Sequence, residues 1–286
     1  MTANPPVEEH NMSRLSRRSI VLGLSVLAWP GLPALAQAPA KDDPWPGLVT
    51  DVFNDRPMEK TDTVIAMEAP YRSEDAALTP LTLHLRPHGS DPITTVTLVI
   101  DRNPAPVAAV FKLGEKALVS RIETRVRVNE ATAIHAVAET AGGKLYVTEK
   151  FVKASGGCAA PSIKNADEAL ASLGKMKLRQ FPVPTNDASG TREAQLMIRH
   201  PNNSGFQMDQ VTLYYIPARF VNDIKLWQGD DLILGIEGGI SISEDPTFRI
   251  SFRHNGAKTF KASIVDTDQT AFERTWDAIE PGAPGT

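Results

Sequence analysis

The stretch VKASGGCAAPSIKN, residues 152–165, carries Cys158, the only cysteine among 286 residues. Gly156 and Gly157 precede it, and Ala159 and Ala160 follow, so no bulky side chain flanks the sulfur. A thiolate is the reactive form of cysteine and can hold a group covalently. Glycine-rich backbone loses much conformational freedom when it is ordered. The setting therefore suits a flexible arm whose thiol is exposed or threads into a narrow channel of another protein. A doubled-back loop between Lys153 and Lys164, about six residues each way, reaches roughly 20 Å. An ordinary thiol titrates near about 8.5, so a useful thiolate fraction needs a partner's site or nearby cations such as Lys153 and Lys164. The plain alternative is a free cysteine packed as a small hydrophobe. The count itself excludes an internal disulfide.

Other chemistry is hard to find. There is no G-x-S-x-G elbow, and none of the six histidines sits in a motif that makes it a base. His84 and His88 in HLRPH flank Pro87 where a strand runs into a turn, which reads as surface histidines rather than a metal pair. Asp266 and Asp268 in DTDQT lack the glycine and terminal glutamate of a calcium loop. GIEGGIS lacks the spacing of a dinucleotide loop, and no C-x-x-C-H for haem attachment occurs. The reading is of a protein that is not an enzyme, with no metal and no cofactor. The formal net charge of −4, without a basic stripe, excludes nucleic acid as a partner class.

Period-two alternation supplies the elements that must position the thiol. LTLHLR, TVTLVI, RIETRVRV and KLYVTEKFV each place apolar side chains on one face and polar ones on the other. In the third of these, Ile122, Val126 and Val128 alternate with Arg121, Glu123, Arg125 and Arg127. After the cysteine, Asn165 with Glu168 makes a start like a capping box, and Leu170, Leu173 and Met176 recur every third residue. That pattern predicts an amphipathic helix from Ala166 to about Arg179, ended by the proline-containing linker FPVPTNDASG. Alternation resumes at Leu196 and Ile198, at Val211, Leu213 and Tyr215, and at Leu232, Leu234 and Ile236. Phe248, Ile250 and Phe252 mark another strand, Phe260, Ala262 and Ile264 a further one, and Phe272 with Trp276 a last. The fold class is all-β: two immunoglobulin-like β-sandwich domains joined by a short helix and linker. The expected boundaries are 45–155 for the first sandwich, 156–189 for the cysteine loop, helix and linker, and 190–278 for the second.

Residues 1–36 read as a cleavable export signal. Arg17 and Arg18 precede an apolar run from Ile20 to Trp29, and Ala34 and Ala36 offer a small-residue cleavage site. The run is too short to span a hydrocarbon core of about 30 Å, so no membrane contact is expected after cleavage. The paired arginines point to twin-arginine export and a periplasmic location. Residues 1–11 hold Glu8 and Glu9 and no basic residue, so Met12 competes with Met1 as the start. Removal of the signal leaves 250 residues with a net charge of −5.

VKASGGCAAP resembles the end of the SoxY sulfur carrier, whose Gly-Gly-Cys-Gly-Gly arm holds sulfur intermediates on its cysteine. The likeness runs back through DRNPAPVAAVFKL, IETRVRV and GKLYVTEKFVKASGGC. The second half is similar to SoxZ through IRHPNNSGFQMD, YYIPARFV and ISEDPTFRISFRHNGAKTFKASIVDTDQTAFERTW. The whole chain resembles fused SoxYZ-like carriers, a family associated with periplasmic quinoprotein (PQQ-dependent) alcohol dehydrogenases. The resemblance implies immunoglobulin-like domains, Cys158 as the cargo-bearing residue, Gly156 and Gly157 as the preceding glycines, and periplasmic redox enzymes as partners. Ala159 and Ala160 replace the second glycine pair, and the arm is tethered at both ends. The competing expectation is a noncovalent accessory or assembly protein for a dehydrogenase, in which Cys158 has no role.

Overall fold

The computed structural model describes residues 43–86, 90–162, 166–182, 190–280, 282 and 285–286. The export-signal residues 1–36, His88, Asn165, Lys164 and most of the 181–190 linker lie outside these. In chain order the elements begin with helix α1 (Trp45–Phe53) and strands β1 (Met58–Lys60), β2 (Ile65–Glu68), β3 (Thr79–Leu85) and β4 (Ile93–Ile100). Next come β5 (Val107–Leu113), β6 (Arg121–Val126), β7 (Thr132–Thr140) and β8 (Leu145–Val152). Helix α2 (Ala166–Ser172) follows, then β9 (Met176–Gln180), β10 (Thr191–Ile198), β11 (Val221–Gln228) and β12 (Asp231–Gly238). The last three strands are β13 (Thr247–Arg253), β14 (Thr259–Asp266) and β15 (Ala271–Asp277).

These strands form two sheets that both run through the two halves of the chain. The nine-stranded sheet has the order β1-β8-β7-β4-β5-β12-β11-β14-β15, and the six-stranded sheet the order β2-β3-β6-β13-β10-β9. The expected all-β class is present, and the halves meet strand to strand rather than through a hinge. β5 pairs antiparallel with β12, from Leu113 opposite Leu234 to Ala109 opposite Gly238. β6 pairs antiparallel with β13 through Arg121, Ile122 and Glu123. Each pairing occupies the hydrogen-bonding edge that an isolated sandwich would leave open.

The alternation read from the sequence is the burial pattern. Leu81, Leu83 and Leu85 of β3, Val96, Leu98 and Ile100 of β4, and Phe248, Ile250 and Phe252 of β13 are all buried in one continuous core. At the junction Phe111 of β5 meets Phe248 of β13 edge to face, with ring centroids 6.3 Å apart and planes at 74°. The contact links both sheets and both halves at once.

Three elements differ from expectation. The predicted helix to Arg179 stops at Ser172, because Gly174 takes a left-handed φ of +73° and a Cβ there would lie 2.1 Å from the Phe272 ring. Met176, Leu178 and Gln180 then bury as alternate residues of β9, which extends the six-stranded sheet beside β10. Val211, Leu213 and Tyr215 form no strand; they lie on an exposed loop, and β11 supplies the strand from residues further on. Helix α1 was not anticipated. It docks on the outer face of the nine-stranded sheet, where Trp45 stacks on His135 at 3.6 Å and 8°. His135 is held in turn by Asp101, with Nδ1 and Oδ1 2.9 Å apart.

Truncating one ring at the junction tests whether the halves fold together. Phe248→Ala removes a fully buried aromatic and is expected to destabilise the chain by about 3–5 kcal/mol. Chemical denaturation followed by tryptophan fluorescence and by circular dichroism then shows one shifted transition. Two separated transitions would show that the halves unfold independently.

Candidate functional site

Cys158 lies at the junction of the two halves, within a turn spanning residues 157–159. The strand-like ledge that continues β6 positions it. The Gly156 amide donates to Asn129 O at 2.6 Å, and the Gly157 amide donates to Val128 O at 3.1 Å. The Ala159 amide closes the turn on Gly156 O. From the second half, the Ser204 hydroxyl donates to Cys158 O, and Gln207 Nε2 donates to Ala160 O at 3.1 Å. Residues of both halves therefore hold the segment.

This arrangement corrects the expectation of an exposed, mobile arm. Cys158 is only 1 % exposed, and the Gly156–Ala160 backbone is hydrogen-bonded along its length. The two glycines serve different needs, neither of which is looseness. Gly156 adopts φ +75° with open space where a Cβ would stand, so it supplies the left-handed turn. Gly157 has no room: a Cβ would lie 2.1 Å from Ala76 O and 2.6 Å from Val128 O. Ala159 is exposed and Ala160 half-buried, and neither makes a close approach that demands glycine.

Arg127 is the side chain that the sequence reading misplaced. Alternation put it on the solvent face with Arg121, Glu123 and Arg125, yet it is 1 % exposed and among the largest buried side chains. β6 ends at Val126, and the pleat is lost just beyond it, so Arg127 turns inward. Its Nη1 donates to Gly157 O at 3.3 Å and its Nη2 to Asn202 O at 3.4 Å, while Nε has no partner. Asn103 braces the ledge by donating Nδ2 to Arg127 O at 2.7 Å and to Ser241 Oγ at 2.8 Å. No local pattern marks Asn103, Ser204 or Gln207 as holding residues, since short polar side chains in loops usually serve turns.

The electrostatics silence the thiol. Burial pushes the Cys158 thiol up to about 11, and the Arg127 charge only partly opposes this. His200, buried beneath Asn202, has its pKa lowered, chiefly by burial, with Asp266 pulling the other way. Its Nδ1 accepts the Asn202 amide at 3.0 Å, a bond available only to the unprotonated ring nitrogen. Asp266, weighed above as half a calcium loop, instead accepts from Arg219 Nε at 2.9 Å and from the Asp268 and Thr270 amides. His84 lies on the six-stranded sheet with Nε2 2.7 Å from Glu68. Lys153 sits over the Tyr71 ring, its Nζ 4.9 Å from the centroid.

Beside the segment, the loop from Phe206 to Tyr215 turns its apolar side chains outward. Val211 is 91 % exposed and Tyr214 77 %, with Leu213 and Tyr215 also exposed. The loop is nevertheless ordered, because Asp209 accepts from the Val211 and Thr212 amides and the Leu213 amide donates to Asp209 O. The same loop supplies Gln207 to the cysteine segment. A groove of about 800 Å³ on the outer face of the six-stranded sheet, lined by Arg125, Lys177, Arg199 and Arg249, does not include Cys158.

The family model described as Sulfur oxidation protein SoxY matches residues 49–158, ending on the cysteine. The model described as Sulphur oxidation protein SoxZ matches residues 182–277. Among solved structures the chain is similar to the sulfur carrier protein SoxY from Chlorobium limicola f thiosulfatophilum. That likeness has 22 % identity, covers 39 % of this chain and 91 % of that one, and has a TM-score of 0.33. No curated protein matches the chain.

Two outcomes test the site. Gly157→Ala cannot dock without moving Ala76 or Val128, so Cys158 in this variant is expected to react with iodoacetamide at pH 8 about tenfold faster or more. Intact mass against time measures the rate, and an unchanged rate would show that docking does not control the thiol. The titration has a defined sign. A folded value near 11, above the ordinary 9.0, means that the neutral thiol favours docking fully below pH 9 and that this contribution fades as pH rises through 11. The ¹³C shift of Cys158 Cβ should therefore titrate near 11, whereas a midpoint near 9 would place the sulfur in water.

Proposed function

We propose that this chain, which joins a region matching the SoxY family model to one matching the SoxZ family model, is a covalent carrier using Cys158. The cargo is a sulfur or other thiol-linked group. The observation that carries the reading is that the sole cysteine sits on a segment held by hydrogen bonds from both halves, where the SoxY match ends.

The chemistry follows from two states of the segment. Docked, with the thiol near 11, Cys158 is almost wholly protonated at neutral pH and does not react. Released into water, its pKa returns toward about 8.5–9, and the thiolate fraction rises by roughly a hundredfold. The released thiolate bonds to an electrophilic atom of the cargo, and the leaving group departs with its electron pair. Redocking then shields the new bond from water and from stray thiols. Ser204 and Gln207 grip main-chain carbonyls, so these two hydrogen bonds do not involve the sulfur.

Periplasmic location by twin-arginine export is supported by the Arg17-Arg18 pair, the apolar run and the small-residue site that follow it. A link to a periplasmic quinoprotein alcohol dehydrogenase is supported by the resemblance of the whole fused chain to carriers associated with such enzymes. The outward Val211, Leu213, Tyr214 and Tyr215 favour a protein-contact role for the neighbouring loop, since contiguous exposed apolar side chains mark interaction sites. That same loop favours the second reading, a noncovalent accessory protein for a dehydrogenase.

Intact-mass spectrometry separates the two. Protein isolated from its native cell envelope without reductant is expected to carry an adduct that reduction removes and that Cys158→Ser lacks. The mass of the adduct identifies the cargo. If Cys158→Ser supports the full physiological function and still captures the partner, the accessory role replaces the carrier.

A further inference from the structure

The groove of about 800 Å³ on the outer face of the six-stranded sheet runs across the junction of the two halves, with Pro80 and Arg125 from the first and Lys177 and Met197 from the second. Its two walls stand side by side because β6 pairs with β13. Arg125, Thr247, Met197 and Lys177 form one row across four adjacent strands. Arg125 Nη2 donates to Thr247 Oγ1 at 3.3 Å, Thr247 lies opposite Met197, and Met197 lies opposite Lys177. At about 4.8 Å per strand, the two cations stand roughly 14 Å apart with uncharged side chains between them. Lys175 lies two residues before Lys177, where its carbonyl accepts from the Arg199 amide at 2.8 Å. Five basic and three acidic side chains line the groove, on a chain whose formal net charge is −4. Glu123 is engaged by Arg121 and Arg249, Asp245 by Arg199, and Glu244 is buried. Arg249 is also met by Glu193 at 2.6 Å. Among the described residues no carboxylate pairs with Arg125, Lys175 or Lys177, although Arg125 is held in place by Thr247 and by Asp245 O at 3.0 Å.

We propose that this groove is a docking site for an extended acidic segment of another protein, with two carboxylate side chains four residues apart and an apolar side chain midway between them. An extended chain advances about 3.4 Å per residue, so side chains at i and i+4 share one face and lie about 14 Å apart, the span from Arg125 to Lys177. The side chain at i+2 shares that face and meets Met197, whose flexible thioether adapts to irregular surfaces. Charge complementarity selects this occupant. An acidic segment is repelled by the acidic molecule as a whole and drawn to the one row whose cations are unmet. Arg125 enters the contact with its fork already oriented, so it loses less freedom there than the two exposed lysines. Cys158 does not line the groove, so this site and the carrier reading stand or fall separately.

Methionine methyl signals of the full chain report on the site, because Met197 lines the groove and Met208 lies on the exposed loop outside it. Met197→Leu and Met208→Leu assign the two signals. The probe is the peptide acetyl-Gly-Glu-Ala-Leu-Ala-Glu-Gly-amide, added up to about 5 mM. The Met197 signal is expected to move saturably while the Met208 signal stays in place. The peptide with Gln in place of both Glu is expected to bind about tenfold more weakly or worse, and added salt should weaken the Glu peptide. Lys175→Glu combined with Lys177→Glu reverses two exposed charges and should weaken it by a similar factor. An unmoved Met197 signal, equal binding of the two peptides, or movement confined to Met208 would overturn the proposal. The same Met197 shift with sodium sulfate at matched ionic strength would make the groove a small-anion site and overturn it as well. The comparison of the two peptides needs no charge reversal, so it decides even where that variant does not fold.

Discussion

Everything near the thiol depends on the pairing of β5 with β12 and of β6 with β13. A β-sandwich with open edges is complete in its core but not in its backbone hydrogen bonds. Joining two such sandwiches edge to edge, in both sheets at once, satisfies those groups and fuses the cores around Phe111 and Phe248. The junction is thus held by backbone pairing and by a shared core, and it is where the cysteine segment lies.

That location explains features that look contradictory in the sequence alone. A pair of glycines beside a reactive residue suggests freedom, yet Gly157 is required because two main-chain carbonyls approach its α-carbon too closely for any side chain. The segment is tied by its backbone rather than its side chains, with the Asn129 and Val128 carbonyls on one side and Ser204 and Gln207 on the other. A backbone clamp of this sort holds the residue in place without a hydrogen bond to its sulfur.

The fusion of the halves gives the clamp its two jaws. The ledge of residues 127–129 comes from the first half, and the holding side chains at 204 and 207 from the second. In one chain the jaws always meet in a fixed ratio and register. The burial that they impose suppresses the thiolate. Arg127 and His200 lie under the same clamp, where burial disfavours the charged form of each.

The β class, the inward faces of most strands and the uniqueness of Cys158 were legible in the amino-acid order, because period-two burial and a residue count need no knowledge of partners. That order also brought Gly156, Gly157 and Cys158 to attention, although for mobility rather than close approach. What lies against what depended on contacts between residues far apart in the chain. Residues 173–180 carry apolar side chains at both threes and twos, and the free edge of β10 selected the strand. Val211, Leu213 and Tyr215 alternate as a strand would, but they pair with no sheet and remain outside. Arg127 continues an outward polar series until β6 ends one residue before it, and the chain's turn carries it into the junction. In each case the local pattern was compatible with two outcomes, and the energy that chose between them came from residues distant in the chain.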